Sequence, residues 1–242
     1  MSNDPANRRR EDGTTATSGV ADELVSMILG LTPGSSIPSE AELAVRHGVS
    51  RVTVREAVKM VAGRGLLDLA RGRRAVVREP DPAALGQFMA SIVQNEPEGV
   101  FLLTEARMSV EVQCAGLAAK RADRDDIAAI ANSLALMRQA AETGHQLENE
   151  TAFHDADVAF HNAVAAASKN RILAGILKAM VPALQKSFGL LRRHRNESGQ
   201  SSEMVIIAHE RIIDCIRSGD QPGAEAAMRV HLTDVSRDLR AL

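Results

Sequence analysis

Residues Pro33–Met60 read PGSSIPSEAELAVRHGVSRVTVREAVKM, and this stretch decides the fold of the N-terminal part of the chain. Ser39 followed three positions on by Glu42 is the reciprocal capping pattern that opens a helix. That helix is short, running to about Arg46, because His47-Gly48 breaks it. Ser50 then caps another helix, from Arg51 to about Gly63. In it Val54, Ala57, Val58 and Val61 stand at i, i+3, i+4 and i+7 and form a buried stripe. Arg51, Val52, Arg55 and Lys59 occupy the remaining face. An exposed helix start that offers Arg beside Thr or Val suits entry into the DNA major groove. The guanidinium can pair with guanine O6 and N7, and an apolar side chain can touch a thymine methyl. The short helix before it then crosses the backbone, with its amino end able to face a phosphate.

Working outward, Val20, Ala21, Leu24, Val25, Ile28 and Leu29 recur at helical spacing, and Pro33-Gly34 closes that segment with a turn. Residues 1–17 are polar and aperiodic and are expected to be a disordered tail. After Gly65 the period changes. Leu66, Leu67 and Leu69, then Ala75, Val76 and Val77, flank Arg71-Gly72-Arg73-Arg74, which reads as a β-hairpin with a basic tip. Such a tip can lie along a phosphate backbone or enter a minor groove. Residues 18–78 are therefore expected to form a winged helix-turn-helix, with Glu79-Pro80-Asp81-Pro82 as a stiff linker over 79–82. Beyond it the spacing predicts helices near 83–94, 99–121, 124–142, 149–167, 170–193, 200–217 and 221–240. The breaks fall at Asn95 to Pro97, Ala122-Asp123, Gly144-His145, Lys169-Asn170, Ser198-Gly199 and Gly219-Asp220. The chain is thus expected to be mostly α, its 83–242 segment an all-helical bundle of about seven helices.

The 242 residues carry a net charge of −2, which points to no partner, but the distribution does. Between Leu43 and Arg78 nine basic residues face two acidic ones, a local +7, which leaves −9 on the rest. A polyanion is drawn to one segment and repelled elsewhere. With five Phe and no Trp or Tyr, the cores must be built from Leu, Val, Ile, Ala and Met, which favours helices over a β-sandwich. Met108, Met180, Met204 and Met228 read as core. No apolar run of about 18 residues is present, and the polar start lacks a secretory signal, so a cytoplasmic protein is expected. Cys114 and Cys215 are then expected as buried free thiols rather than a disulfide.

Pro33-Gly34-Ser35-Ser36-Ile37-Pro38-Ser39-Glu40, Leu43-Ala44, Gly48-Val49-Ser50-Arg51, Val54-Arg55-Glu56-Ala57 and Gly65-Leu66 resemble the winged helix-turn-helix of the GntR family over about residues 20–78. The resemblance implies a DNA-binding transcription regulator in which Arg51, Thr53 and Arg55 contact DNA and Ser39 lies near a phosphate. Lys59 and the hairpin residues Arg71, Gly72 and Arg73 complete the expected DNA-binding set. The chain departs from the family at Ala41, where an Arg is usual, and at Arg74, where Gly is preferred.

In the helical part, Asp157 and His161 stand at i and i+4, and His209 and His231 lie on two later helices. Three imidazoles and a carboxylate suit a divalent metal such as Zn²⁺ or Ni²⁺ and leave positions open for water or a carboxylate. The same residues also read as a surface helix pair and hydrogen-bonded core histidines. His47, His145, His154 and His194 make His common in this chain, and His154 shares the Asp157 face. Asp157-Val-Ala-Phe160-His161, His209-Glu210-Arg211-Ile212 and His231 after Gly219-Asp220 resemble the FCD ligand-binding domain of the FadR subfamily, over about residues 83–240. The resemblance implies that the aspartate and three histidines hold a metal. It also implies that Arg107, in an Arg-x-x-x-Glu helix with Glu111, clamps the carboxylate of a small organic acid; otherwise Arg107–Glu111 is a surface pair. Asn170 matches a recurrent family position, although helix capping accounts for it. The expectation is a homodimeric repressor on a palindromic double-stranded operator, released by its ligand. Two rivals stand beside it. One is a metal-dependent enzyme fused to a DNA-binding head, with Glu111 or Glu210 as nominal base, and the other is a metal-free dimerisation scaffold.

Overall fold

The computed structural model describes residues 5–70, 72–142, 147–198 and 202–240. Arg71 and His145 lie outside the described residues, as do the side chain of His194, residues 1–4 of the expected tail, and the breaks at 144–145 and 199. The chain forms two compact units that meet between Asp81 and Pro82, inside the expected linker.

In the first unit, α1 (Pro5–Leu29) runs far N-terminal of the expected start near Val20. The segment read as a disordered tail is helical from Pro5 onward. Pro is tolerated at a first helical position, and the Arg8–Glu11 run consists of good helix formers, so local propensity extends a helix whose apolar stripe starts only later. α2 (Glu40–His47) and α3 (Arg51–Gly63) begin as their caps require. The Glu42 amide donates to Ser39 Oγ while the Ser39 amide donates to Glu42 Oε2 at 2.6 Å. Gly48 ends α2 at φ 65°, a left-handed conformation that disfavours residues with a Cβ. β1 (Leu67–Asp68) and β2 (Val76–Val77) pair antiparallel with Leu67 opposite Val77. The segment read simply as a turn also joins this wing. Ile37 N–H donates to Ala75 O at 3.0 Å, and Val77 N–H to Ser35 O at 2.8 Å. Val20, Ala21, Leu24, Ile28, Leu43, Val54, Ala57, Val58, Val61, Leu67 and Val77 form one core, including the whole stripe expected on α3.

The second unit has seven helices: α4 (Ala83–Asn95), α5 (Gly99–Arg121), α6 (Arg124–Glu142), α7 (Leu147–Ala167), α8 (Arg171–Ser198), α9 (Ser202–Arg217) and α10 (Gln221–Arg240). α5 packs against α4, α7, α8, α9 and α10, so its interior face is almost wholly enclosed. One core of α5, α6, α7, α9 and α10 contains Met137, Phe160, Ile212, Met228 and Leu232, and a smaller one joins α4 and α8 to α5. Asn170 caps α8, accepting from the amides of Ile172 at 3.1 Å and Leu173 at 3.3 Å. Met180 and Met228 are core as expected and Met108 packs on its edge, but Met204 is 70% exposed because it sits near the start of α9 on the outer face. Cys114 is buried and Cys215 half-buried, both as free thiols. Burial, with the Glu111 charge nearby, pushes the Cys114 thiol up to about 11. Among the described residues no helix is long and apolar enough to cross a membrane.

Leu43→Ala and Met228→Ala each delete an enclosed side chain and are expected to cost about 2–5 kcal/mol in urea unfolding. Val52→Ala, at a position 67% exposed, is expected to change stability by less than about 0.5 kcal/mol.

Candidate metal centre and DNA-facing head

In the head, Ser39, Glu40, Ala41, Arg55, Lys59, Gly72, Arg73 and Arg74 line one groove of about 800 Å³ between α2, α3 and the wing. The residues expected to read DNA differ in how free they are. The Ser39 hydroxyl is bound to Glu42 at 2.6 Å, and the Thr53 hydroxyl lies 2.8 Å from the hydroxyl of Ser50, the α3 cap. Arg55 is gripped by Glu40 of α2, through Nε to both carboxylate oxygens at 3.1 and 3.2 Å and through one terminal nitrogen at 2.8 Å. That bond holds the Glu40 carboxyl below its ordinary range and raises Arg55 further. Lys59 pairs with Glu56 at 2.9 Å and Arg74 with Glu42 at 3.4 Å. Arg51 and Arg73 have no ion-pair partner among the described residues. Gly72 takes φ 75° at the wing tip, which suits glycine. Sequence reasoning found the basic residues but missed the acids that hold them, because Glu40 and Arg55 are fifteen positions apart and meet only through the α2–α3 crossing.

In the helical unit the four expected ligands converge. Asp157 and His161 project from α7, His209 from α9 and His231 from α10, and their ligand atoms all lie within 4.8 Å of one another. His161 Nε2 is 3.4 Å from His209 Nε2 and 3.3 Å from His231 Nε2. Asp157 Oδ1 is 3.1 Å from His209 Nε2 and 3.9 Å from His161 Nε2. Ligands about 2.0–2.1 Å from a zinc-like ion stand about 3.3–3.4 Å apart at tetrahedral angles.

The contacts of the outer ring atoms show how these inner nitrogens could serve as ligands. His209 Nδ1 lies 2.7 Å from the Val205 carbonyl, which accepts its proton. His161 Nδ1 is in polar contact with Glu111 Oε2. With the ring proton on Nδ1, each of these Nε2 atoms would present a lone pair inward, the tautomer a bound cation selects; without a cation, His209 Nε2 shares a proton with Asp157 Oδ1 at 3.1 Å. Three imidazole nitrogens and a carboxylate oxygen at these separations form a donor set that fits a divalent ion. Burial and then the charges of His209 and His161 hold the His231 ring well below its usual range. Burial alone would raise Asp157, but the His209 hydrogen bond and the three imidazoles outweigh it and hold it well below normal. Phe160, fully enclosed, stands edge-on to His209 with ring centres 4.5 Å apart and fixes that ring.

Glu111 is the residue that sequence reasoning undervalued. The Arg107–Glu111 pair is no surface pair: Arg107 is 8% and Glu111 1% exposed, and Arg107 Nε donates to Glu111 Oε1 at 2.5 Å. The wall formed by α7, α8 and α10 encloses what helix periodicity alone left open. Burial pushes the Glu111 carboxyl upward, yet Arg107 and His161 pull it down to about 2. Its two oxygens are thus engaged by Arg107 and His161, leaving it no freedom to act as a base, and the other nominal base, Glu210, pairs with Arg138 at the surface. Arg107, Asp157, His161 and His231 open onto a cavity of about 60 Å³ that Asn162, Leu177, Val181, Leu184, Val205, Val235 and Asp238 also line.

A winged helix-turn-helix joined to an all-helical unit with a buried metal-type site defines a DNA-binding transcription regulator with a sensor domain. Residues 16–77 match the bacterial regulatory proteins of the gntR family and residues 102–234 the FCD domain. The chain is 31% identical over 206 residues to the HTH-type transcriptional regulator LutR of Bacillus subtilis, covering 85% of this chain and 91% of that one. It is 30% identical over 211 residues to the HTH-type transcriptional repressor NanR of Escherichia coli K12, covering 84% and 75%. A Streptococcus agalactiae GntR structure superposes with a TM-score of 0.70 at 25% identity, over 91% of this chain and 99% of that one. The chain belongs to the GntR family of transcription regulators and carries an FCD domain; it regulates transcription and is not an enzyme.

Glu111→Gln keeps the shape and removes the charge, and is expected to weaken Zn²⁺ affinity about 10–100-fold in chelator competition. Unchanged affinity in the folded variant would deny Glu111 its role in orienting His161.

Proposed function

We propose that the protein is a cytoplasmic, homodimeric repressor whose grip on a palindromic operator is released by a small carboxylate held at a Zn²⁺ or Ni²⁺ site. The observation that carries this reading is the convergence of three imidazoles and Asp157 beside a cavity that also receives Arg107. Among the described residues Arg107 bonds Glu111 through Nε, which leaves its two terminal nitrogens to clamp a carboxylate side by side. When bound, the ion supplies a Lewis-acidic anchor for the ligand's oxygens. Asp157, His161, His209 and His231 hold it, Glu111 and Val205 orient the rings, and the valine and leucine wall excludes water. The repressor assignment draws on the likeness to NanR, whose name describes it as a repressor.

On the DNA side, Arg51 and Thr53 at the exposed start of α3 and Arg55 beside them read base edges, while Ser39, Lys59, Arg73 and the Gly72 backbone follow phosphates. Arg71 belongs to the same basic tip by sequence. The domain limits proposed are 18–78 for the head, 79–82 for the linker and 83–242 for the sensor, which also supplies the dimer contact. Ligand binding shifts operator affinity only by its preference for one arrangement of the dimer, commonly about 5–150-fold.

Elemental analysis after dialysis is expected to find about one Zn or Ni per chain in the wild type and none in His209→Ala, in keeping with a site of four ligands. Metal absent from both after reloading would sink the sensor reading. Arg73→Ala is expected to lower the salt slope for a random-sequence duplex by about 1. Operators enriched from a random pool are expected to be inverted repeats, and a relaxed specificity at one position per half-site is expected for Arg51→Ala.

A further inference from the structure

α10 presents His231, Val235 and Asp238 at i, i+4 and i+7, and all three line the sensor cavity. Asp238 stands about 10 Å along the helix from His231, and helical side chains lean toward the N-terminus, which carries its carboxyl back toward the metal end. Asp238 has no hydrogen-bond or ion-pair partner among the described residues. The basic residues nearest it in sequence are engaged elsewhere: Arg237 bonds Asp234 at 2.9 Å, and the Arg240 guanidinium lies 6.0 Å from the Phe101 ring centre. The cavity therefore has two unlike ends. At one, Arg107 and the candidate ligand set can accept an anion; at the other, beyond apolar side chains such as Val235, stands the Asp238 carboxylate, in a lining that also includes the buried His154 ring.

We infer that Asp238 is a specificity-determining residue that restricts the sensor to acids with a single carboxylate. The ligand class is a short monocarboxylic acid with a metal-coordinating oxygen on the neighbouring carbon and a neutral or cationic far end. A dicarboxylate anchored at Arg107 and the metal would bring its second charge toward the half-buried Asp238, and like charges repel. The inference rests on the carboxylate-at-metal reading above.

The test compares L-lactate, L-malate and the 4-amide of L-malate by calorimetry on Zn²⁺-loaded full-length protein. The amide matches malate in size and differs only in the far charge. The wild type is expected to bind lactate and the amide about tenfold or more tighter than malate. Asp238→Asn, with unchanged metal content, is expected to bring malate within about threefold of the amide. Malate binding as tightly as its amide in the wild type, or a preference unaltered in Asp238→Asn, overturns the role of Asp238 while leaving the carboxylate reading in force. Binding of none of the three acids removes the carboxylate reading itself, and this inference falls with it.

Discussion

One buried carboxylate organises the sensor unit. Glu111 sits at the centre of α5, a helix enclosed by five others, where an isolated charge would be very costly. Its stability there comes from two partners on opposite oxygens, Arg107 one turn back on the same helix and His161 on α7. Each partner is oriented in return. Arg107 cannot swing to solvent with its Nε bound, so its terminal nitrogens stay at the cavity; His161 cannot flip without losing Glu111, so Nε2 stays with the other ligands. Removing any member leaves an uncompensated charge or an unpaired buried ring, which makes the group a unit rather than a set of pairs. Arg107 and the His/Asp cluster are thus two ends of one polar chain through an otherwise apolar bundle.

The apolar bundle around it is shaped by what the chain lacks. Without Trp or Tyr, close helix approach substitutes for large side chains. A Cβ at Gly86 of α4 would meet the Ala179 carbonyl of α8 at 2.9 Å, and Ala115, Ala118, Ala167 and Ala224 are completely or almost completely enclosed. Such thin interfaces bring α7, α9 and α10 near enough for three imidazoles to share one point. Phe160, one of five Phe, stands where bulk is needed, against the ring of His209.

Legibility in the sequence followed the range of the interactions. Caps, breaks and stripes act within a turn or two, so α2, α3 and the helices from Ala83 onward lie close to where periodicity puts them. The start of α1 did not, because residues 5–17 carry no apolar stripe and only intrinsic propensity continues the helix. The Gly34–Ile37 pairing with the wing was illegible because its three backbone hydrogen bonds leave no side-chain signature. The four candidate ligands could be named from residue type, spacing and resemblance, but their partners could not. Val205 acts through its carbonyl, Glu111 through a burial that i, i+4 spacing does not reveal, and Glu40 through a helix crossing.

The head uses acid to discipline base in the same way. Arg55, Lys59 and Arg74 each rest against a carboxylate, whereas Arg51 and Arg73 do not. Exposed pairs of this kind add little to stability, so their effect lies in geometry and in competition. A guanidinium already held by Glu40 cannot adapt freely to any phosphate that passes. It must either present its remaining nitrogen in a fixed direction or exchange one partner for another of greater worth. Unspecific attraction is thereby left to the unpaired cations, and the paired ones engage only where the duplex offers a better acceptor. With −9 on the remainder of the chain opposing casual contact with polyanions, the head gains discrimination at the expense of raw affinity. That balance suits a regulator with a ligand-binding domain, since the coupling between ligand and DNA is reciprocal and limited to what the ligand's own binding supplies.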